Sequence, residues 1–141
     1  MDQFLENETT TQKIYKERAI WTGTFLGGPL VAGYLIAENF KVFNQHDRVR
    51  KTWIYSIIAT IVIFGGVFLI PDTVKIPNQI IPLIYTIIAS QIVQVYQKAK
   101  ITTHINAGGQ VYSWWRTIGV GLIGLVITVI IVFGIAMLTA L

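Results

Sequence analysis

Four apolar segments, none of which contains a charged residue, limit what this chain can fold into. Each segment begins directly after a Lys or an Arg, and the four are residues 19–37, 52–70, 76–97 and 117–141. A helix needs about 20 apolar residues to cross the hydrocarbon of a bilayer, so all four are long enough to span. Because backbone polar groups in lipid must be satisfied within their own segment, the segments are expected to be helices.

The composition supports a membrane environment. Hydrophobic residues make up 53% of the 141 residues and charged residues only 13%, whereas a soluble domain carries about 25% charged residues. Such a chain has too few polar groups to cover its surface, so the lipid bilayer is its first expected partner. We therefore predict an all-α integral membrane protein, with a polar N-terminal tail at 1–18 and a single transmembrane helical domain at 19–141.

A proline preceded by two glycines interrupts the first apolar segment. Pro29 has no N–H to donate to the carbonyl of Phe25, and its ring clashes with that carbonyl in a continuous helix. Gly27 and Gly28 add backbone freedom at the same point. Two structures remain open: a kinked span, or a re-entrant hairpin that dips into the membrane and returns. The predicted fold is thus a small bundle of three spans plus a broken first segment that spans or re-enters.

The surroundings of this break resemble a known group of sequences. Residues 24–30 are Thr-Phe-Leu-Gly-Gly-Pro-Leu, preceded by Ala19-Ile20 and followed by Gly33, Leu35 and Asn39-Phe40-Lys41. This pattern resembles an uncharacterised group of small bacterial multi-pass membrane proteins, which carry a Phe-Leu-Gly-Gly-Pro-Leu motif in the first apolar segment and an Asn-aromatic-basic exit. The resemblance covers 19–41, about a sixth of the chain. It implies a protein of the bacterial inner (cytoplasmic) membrane and transfers no activity.

Small residues form stripes at helical spacing. Thr117, Gly121, Gly124 and Thr128 share one face of the fourth segment, and Gly23 and Gly27 form a GxxxG pair in the first. Such faces let helix backbones approach closely. The contact they make is either within one protomer or between protomers.

Two glutamines give the third segment a polar side. Gln91 and Gln94 lie three residues apart and so share a helix face. They either line a polar path through the membrane or form hydrogen bonds between helices.

The positions of ionisable residues argue against catalysis. All seven acidic residues lie outside the apolar segments, whereas proton relays and ion-coupled transport place such groups within a span. His46 and His104 fall in polar connections without a second ligand at helical spacing, so each is expected to be solvated. With no cysteine in the chain, we expect no enzyme activity, catalytic residue, cofactor or metal site. The lack of a basic face predicts no nucleic-acid partner.

These observations favour a non-enzymatic interaction or accessory subunit, which self-associates or binds a larger membrane protein. The alternative is a small oligomeric channel or passive transporter, in which the break and the two glutamines line the path.

The positive-inside rule bears on the topology. If all four segments span, Lys and Arg divide 7 to 4 between the two sides; if the first segment re-enters, they divide 10 to 1. Both topologies place 38–51 and 98–116 in the cytoplasm.

Overall fold

Helices make up most of the part of the chain that the structure describes. The computed structural model describes residues 12–71, 73, 75 and 79–140. The helices are α1 Glu17–Gly27, α2 Pro29–Val42, α3 His46–Leu69, α4 Ile80–Tyr96, α5 Lys98–Asn106 and α6 Trp114–Ala140. The all-α prediction is confirmed. Residues 1–11 of the predicted tail, residues 72, 74 and 76–78, and Leu141 lie outside the described residues.

Within the described ranges, the helices α3 and α6 are long and apolar enough to cross a membrane. A third candidate combines α4 with α5, which are bent by 64° relative to each other. These helices confirm the prediction of a membrane protein. They do not confirm that four segments cross the membrane. The first segment adds no candidate span because it is divided into helices of 11 and 14 residues, each shorter than the roughly 20 residues that a span needs.

The first segment folds back on itself at Gly28. This residue has φ 87° and ψ −170°, a combination almost exclusive to glycine because any Cβ would clash. Pro29 then starts α2, where its missing N–H costs nothing. A Cβ added to Gly23 would lie 2.6 Å from Cδ1 of Leu35, although twelve residues of continuous helix would separate the two by about 18 Å. Together α1 and α2 therefore form a helical hairpin.

This α1–α2 hairpin is the core of the molecule. Nine of the 14 residues of α2 are buried, against two of the 24 residues of α3. Helix α1 packs on α6 and α4, and α2 packs on α3 and, less extensively, on α4. The long apolar helices form the outer layer and expose large hydrophobic side chains, such as Ile61 on α3 and Ile123 on α6. Lipid is the solvent that suits such a surface.

The described end of the polar tail packs into the same domain. Ile14 and Tyr15 are fully buried, and Ile14 pairs with Val111 in an isolated parallel bridge. The backbone N–H of Tyr112 donates to the Ile14 carbonyl at 2.9 Å. Residues 12–18, which the sequence assigns to a separate tail, are thus held against the connection that precedes α6.

Candidate functional site

The small-residue stripe of α6 packs on the α1–α2 hairpin. Thr117, Gly121, Gly124 and Thr128 are the buried residues of α6. A Cβ on Gly121 would lie 3.1 Å from Cβ of Leu26, so the absence of a side chain sets the distance between α6 and α1. The stripe therefore makes a contact within one protomer, and Gly23 and Gly27 lie on the opposing side of it.

Val31 fills the space left by two glycines, Gly27 and Gly124. A Cβ on Gly124 or on Gly27 would clash with Cγ2 of Val31. One branched side chain of α2 is thus inserted between α1 and α6 just beyond the break. Thr128 donates from its hydroxyl to the Gly27 carbonyl at 3.3 Å, which supplies a partner for one of the carbonyls that the end of α1 leaves free.

Asn39 joins the two ends of the hairpin. The backbone N–H of Tyr15 donates to Oδ1 of Asn39 at 2.8 Å, and Nδ2 of Asn39 donates to the Tyr15 carbonyl at 2.9 Å. Gln97, at the end of α4, accepts from Nδ2 of Asn39 at 3.2 Å and donates to the Ile36 carbonyl at 2.9 Å. Both amide side chains are fully buried. We call these contacts the Asn39 clamp; they place the start of α1 beside the end of α2.

Tyr15 continues the network towards α6. Its ring stacks on that of Tyr112 with centroids 4.3 Å apart, and its hydroxyl accepts from Nε of Arg116 at 3.2 Å. Burial raises the pKa of the Tyr15 phenol, and the hydrogen bond from Arg116 opposes part of that increase. Tyr15 therefore stays protonated at neutral pH and anchors the chain that enters α1.

A groove separates α3 from α4, and α2 forms its floor. Its volume is about 670 Å³, within the range of small-molecule sites. Pro29 and Ala32 contribute to the floor, whereas Ala59, Ile63, Ala89 and Ile92 contribute to the walls. Tyr55 and Ile88 line the groove and remain 69% and 55% exposed. The groove is therefore open to whatever surrounds the helices.

Cationic and aromatic residues form the rim of the groove at one end. Arg48 and Lys51 both line it there. The Arg48 guanidinium lies 4.8 Å from the ring centroid of Tyr96 and 5.9 Å from that of Phe40, so cation–π contacts hold it between α2 and α4. Among the described residues, the one salt bridge joins Lys41 to Glu38, and neither Arg48 nor Lys51 takes part in it. The rim is thus basic, while the interior is mainly apolar.

The structure does not place the helix break and the two glutamines of the predicted polar path in one cavity. Gln91 and Gln94 are exposed on α4, and Nε2 of Gln94 lies 3.4 Å from a carboxylate oxygen of Glu17. Neither glutamine lines the groove, whose floor includes Pro29 from the break. Pro29 of the break therefore lines the groove, whereas Gln94 contacts the start of α1 instead.

The sequence did not predict the Asn39 clamp, and it predicted the wrong solvent exposure for one histidine. Asn39 falls just beyond the first apolar segment, in a stretch that looks solvated. The resemblance marks it as the Asn of the Asn-aromatic-basic exit but gives it no role. The expectation that His104 is solvated is wrong, since it is only 6% exposed and its Nε2 lies 2.9 Å from the Gln110 carbonyl. His46 is exposed. Within the described ranges, no three His, Asp or Glu side chains lie close enough together to hold a metal ion.

Comparisons with protein families, with curated proteins and with solved structures each return no match to this chain.

Proposed function

We propose that the protein is a non-enzymatic interaction protein of the membrane, which holds a membrane-embedded component in the groove between α3 and α4. The observation that carries this proposal is the groove itself. It is apolar inside, open on the side of the outer helices and floored by the most buried element of the fold. Pockets of this kind are the usual binding sites of a protein.

The small-residue stripe of α6 supports the choice of the groove as the interaction surface. Gly121, Gly124 and Thr128 are already buried against the α1–α2 hairpin. A stripe used inside the protomer is not free to pack against another chain. The groove is the large concave apolar surface that remains beside it.

The proposed placement has α3, α4 and α6 crossing the membrane and the α1–α2 hairpin entering and leaving on one side. The Asn39 clamp supports it, because residues 15 and 39 would be about 36 Å apart along a continuous helix but are hydrogen bonded at 2.8 Å. Surrounding helices cover the backbone of the hairpin, as a break at membrane depth requires.

The distribution of basic residues agrees with this placement. Of the eleven Lys and Arg residues, only Lys75 lies in the connection between α3 and α4, which leaves ten at the end where the hairpin opens. By the positive-inside rule, that end is proposed to face the cytoplasm of a bacterial cell.

The channel alternative has less support from the geometry. It needs the helix break and the glutamines Gln91 and Gln94 on one path, but Pro29 lines the groove and neither glutamine does. A direct check is ion release from vesicles that contain the purified protein. Steady ion release that increases with protein density would favour the channel over the interaction protein.

The proposal is tested by photo-crosslinking in native membranes. A benzophenone amino acid replaces Ile92, which lines the groove, and in a matched variant replaces Ile123, which is 63% exposed on α6. A retained component predicts one dominant adduct at position 92 and a broad set of bulk-lipid adducts at position 123. The same broad set at both positions would contradict the proposal.

A further inference from the structure

We infer that the component held in the groove is an acidic phospholipid, whose acyl chain lies along the apolar walls and whose phosphate is bound at Arg48 and Lys51. The inference rests on the proposed function and names the class of ligand. It starts from the distribution of polarity in the groove, which is mainly apolar from Pro29 to Ile63 and cationic only at the rim. The hydroxyls of Thr52 and Ser56, which also line it, donate to carbonyls of α3.

The length of the groove matches one leaflet. Arg48 at the rim and Ile63 at the far end of the wall are fifteen residues apart on α3, which corresponds to about 22 Å of helix. Half of a bilayer with its headgroup region is about 20–22 Å thick. A lipid with its phosphate at the rim would therefore have its chain beside Ala59 and Ile63, near the middle of the membrane.

The rim suits a phosphate. Arg binds phosphate through two parallel N–H groups, and Lys adds a point charge. Arg48 is held between Tyr96 and Phe40, so its guanidinium is positioned before a ligand arrives. The nearest acidic neighbour along α3 is Asp47, which lies with Lys51 on an adjoining surface and does not line the groove. Basic pockets between helices on the cytoplasmic side are known to attract acidic head groups.

The same charges disfavour a protein helix in the groove. A second copy inserted in the same orientation would bring its own basic end to the level of Arg48 and Lys51. Helices of other membrane proteins also carry Lys and Arg at their cytoplasmic flanks. Either occupant would face like charges at the rim, whereas an acidic lipid neutralises them.

The test measures lipid retention by the full-length protein in detergent. Phosphatidylglycerol and phosphatidylcholine with identical acyl chains are added in equal amounts, and native mass spectrometry counts the lipids that stay bound. The wild type is expected to retain phosphatidylglycerol preferentially. R48Q/K51Q is expected to weaken that retention by roughly 10- to 30-fold, since each cation near an acidic head group contributes about fivefold.

Two variants control for charge and for fold. K98Q/K100Q removes two exposed cations that do not line the groove, and should keep the preference. R48K/K51R keeps both charges and should restore binding if R48Q/K51Q has lost it. Helical content by circular dichroism verifies that each variant is folded. Equal retention of both lipids by the wild type, or an equal loss in K98Q/K100Q, would overturn the inference.

A groove-filling variant separates this inference from the proposed function. A59W places a large ring in the wall and should lower retention of phosphatidylglycerol and the dominant adduct at position 92. If A59W removes the adduct while R48Q/K51Q leaves lipid preference unchanged, the groove holds a different component and only the lipid inference fails. If A59W changes neither readout, both fail.

Discussion

Gly28 determines the direction in which the chain continues after α1. Its φ of 87° and ψ of −170° cost a residue with a Cβ about 1–3 kcal/mol. Gly28→Ala should therefore lower the free energy of unfolding by about that amount, measured as thermal stability in detergent. Gly119→Ala is the matched control: no atom lies within 4 Å of its added Cβ, and alanine favours a helix by up to about 1 kcal/mol. Equal effects of the two substitutions would contradict the assigned backbone reversal.

Asn39 is the residue whose loss should open the hairpin. Asn39→Leu removes three hydrogen bonds and leaves the Tyr15 peptide and Gln97 buried without these partners. Each unsatisfied group costs about 1–3 kcal/mol, so a loss of several kcal/mol is expected in thermal unfolding. Gln91→Leu makes the same kind of change at an exposed position of α4 and should be tolerated. Comparable stability of both variants would show that the Asn39 clamp does not hold the hairpin.

At the scale of the elements, the stripe of α6 sets a close contact with the hairpin. Gly124→Leu would force a side chain into Val31 and separate the two, and overpacking of this kind costs about 1–3 kcal/mol or more. Gly134→Leu, on the same helix with no atom within 4 Å of its Cβ, is the matched control and should keep wild-type thermal stability. If both variants unfold at the same temperature, the stripe does not pack α6 on the hairpin.

The elements also show what the sequence can predict. The spacing of Gly121 and Gly124 placed them on one face, because helical periodicity is a local property. Pro29 likewise predicted a break from a missing local hydrogen bond. The return of α2 along α1 depends on contacts such as Gly23 with Leu35 and Tyr15 with Asn39. Those contacts join residues 12 and 24 positions apart, so no local pattern could choose between a kinked span and a hairpin.

The groove could not be predicted from the sequence either, because it also depends on contacts between residues that are far apart in the chain. Its floor comes from α2 and its walls from α3 and α4, and their arrangement follows from the hairpin. Arg48 and Lys51 appeared in the sequence only as flanking charges of a span. Their position at the rim of an apolar groove depends on the tertiary fold.

The whole molecule, as proposed, is a buried helical hairpin packed against three membrane-crossing helices, with one basic end. The hairpin supplies the floor of the groove and the point where α6 packs. If the first segment instead crossed the membrane, residues 15 and 39 would lie on opposite sides, and both the Asn39 clamp and the groove floor would be lost. The side on which the chain enters α1 is therefore the central question.

Cysteine accessibility shows directly on which side of the membrane the chain enters α1, because the chain contains no cysteine of its own. Cysteine replaces Gln12, His46 or Gln79, all of which are exposed, and intact bacterial cells are treated with a membrane-impermeant thiol reagent. The re-entrant hairpin predicts labelling at position 79 alone, with 12 and 46 labelled only after the membrane is permeabilised. Labelling of both 12 and 79 in intact cells would show that the first segment crosses the membrane, and would contradict the re-entrant hairpin.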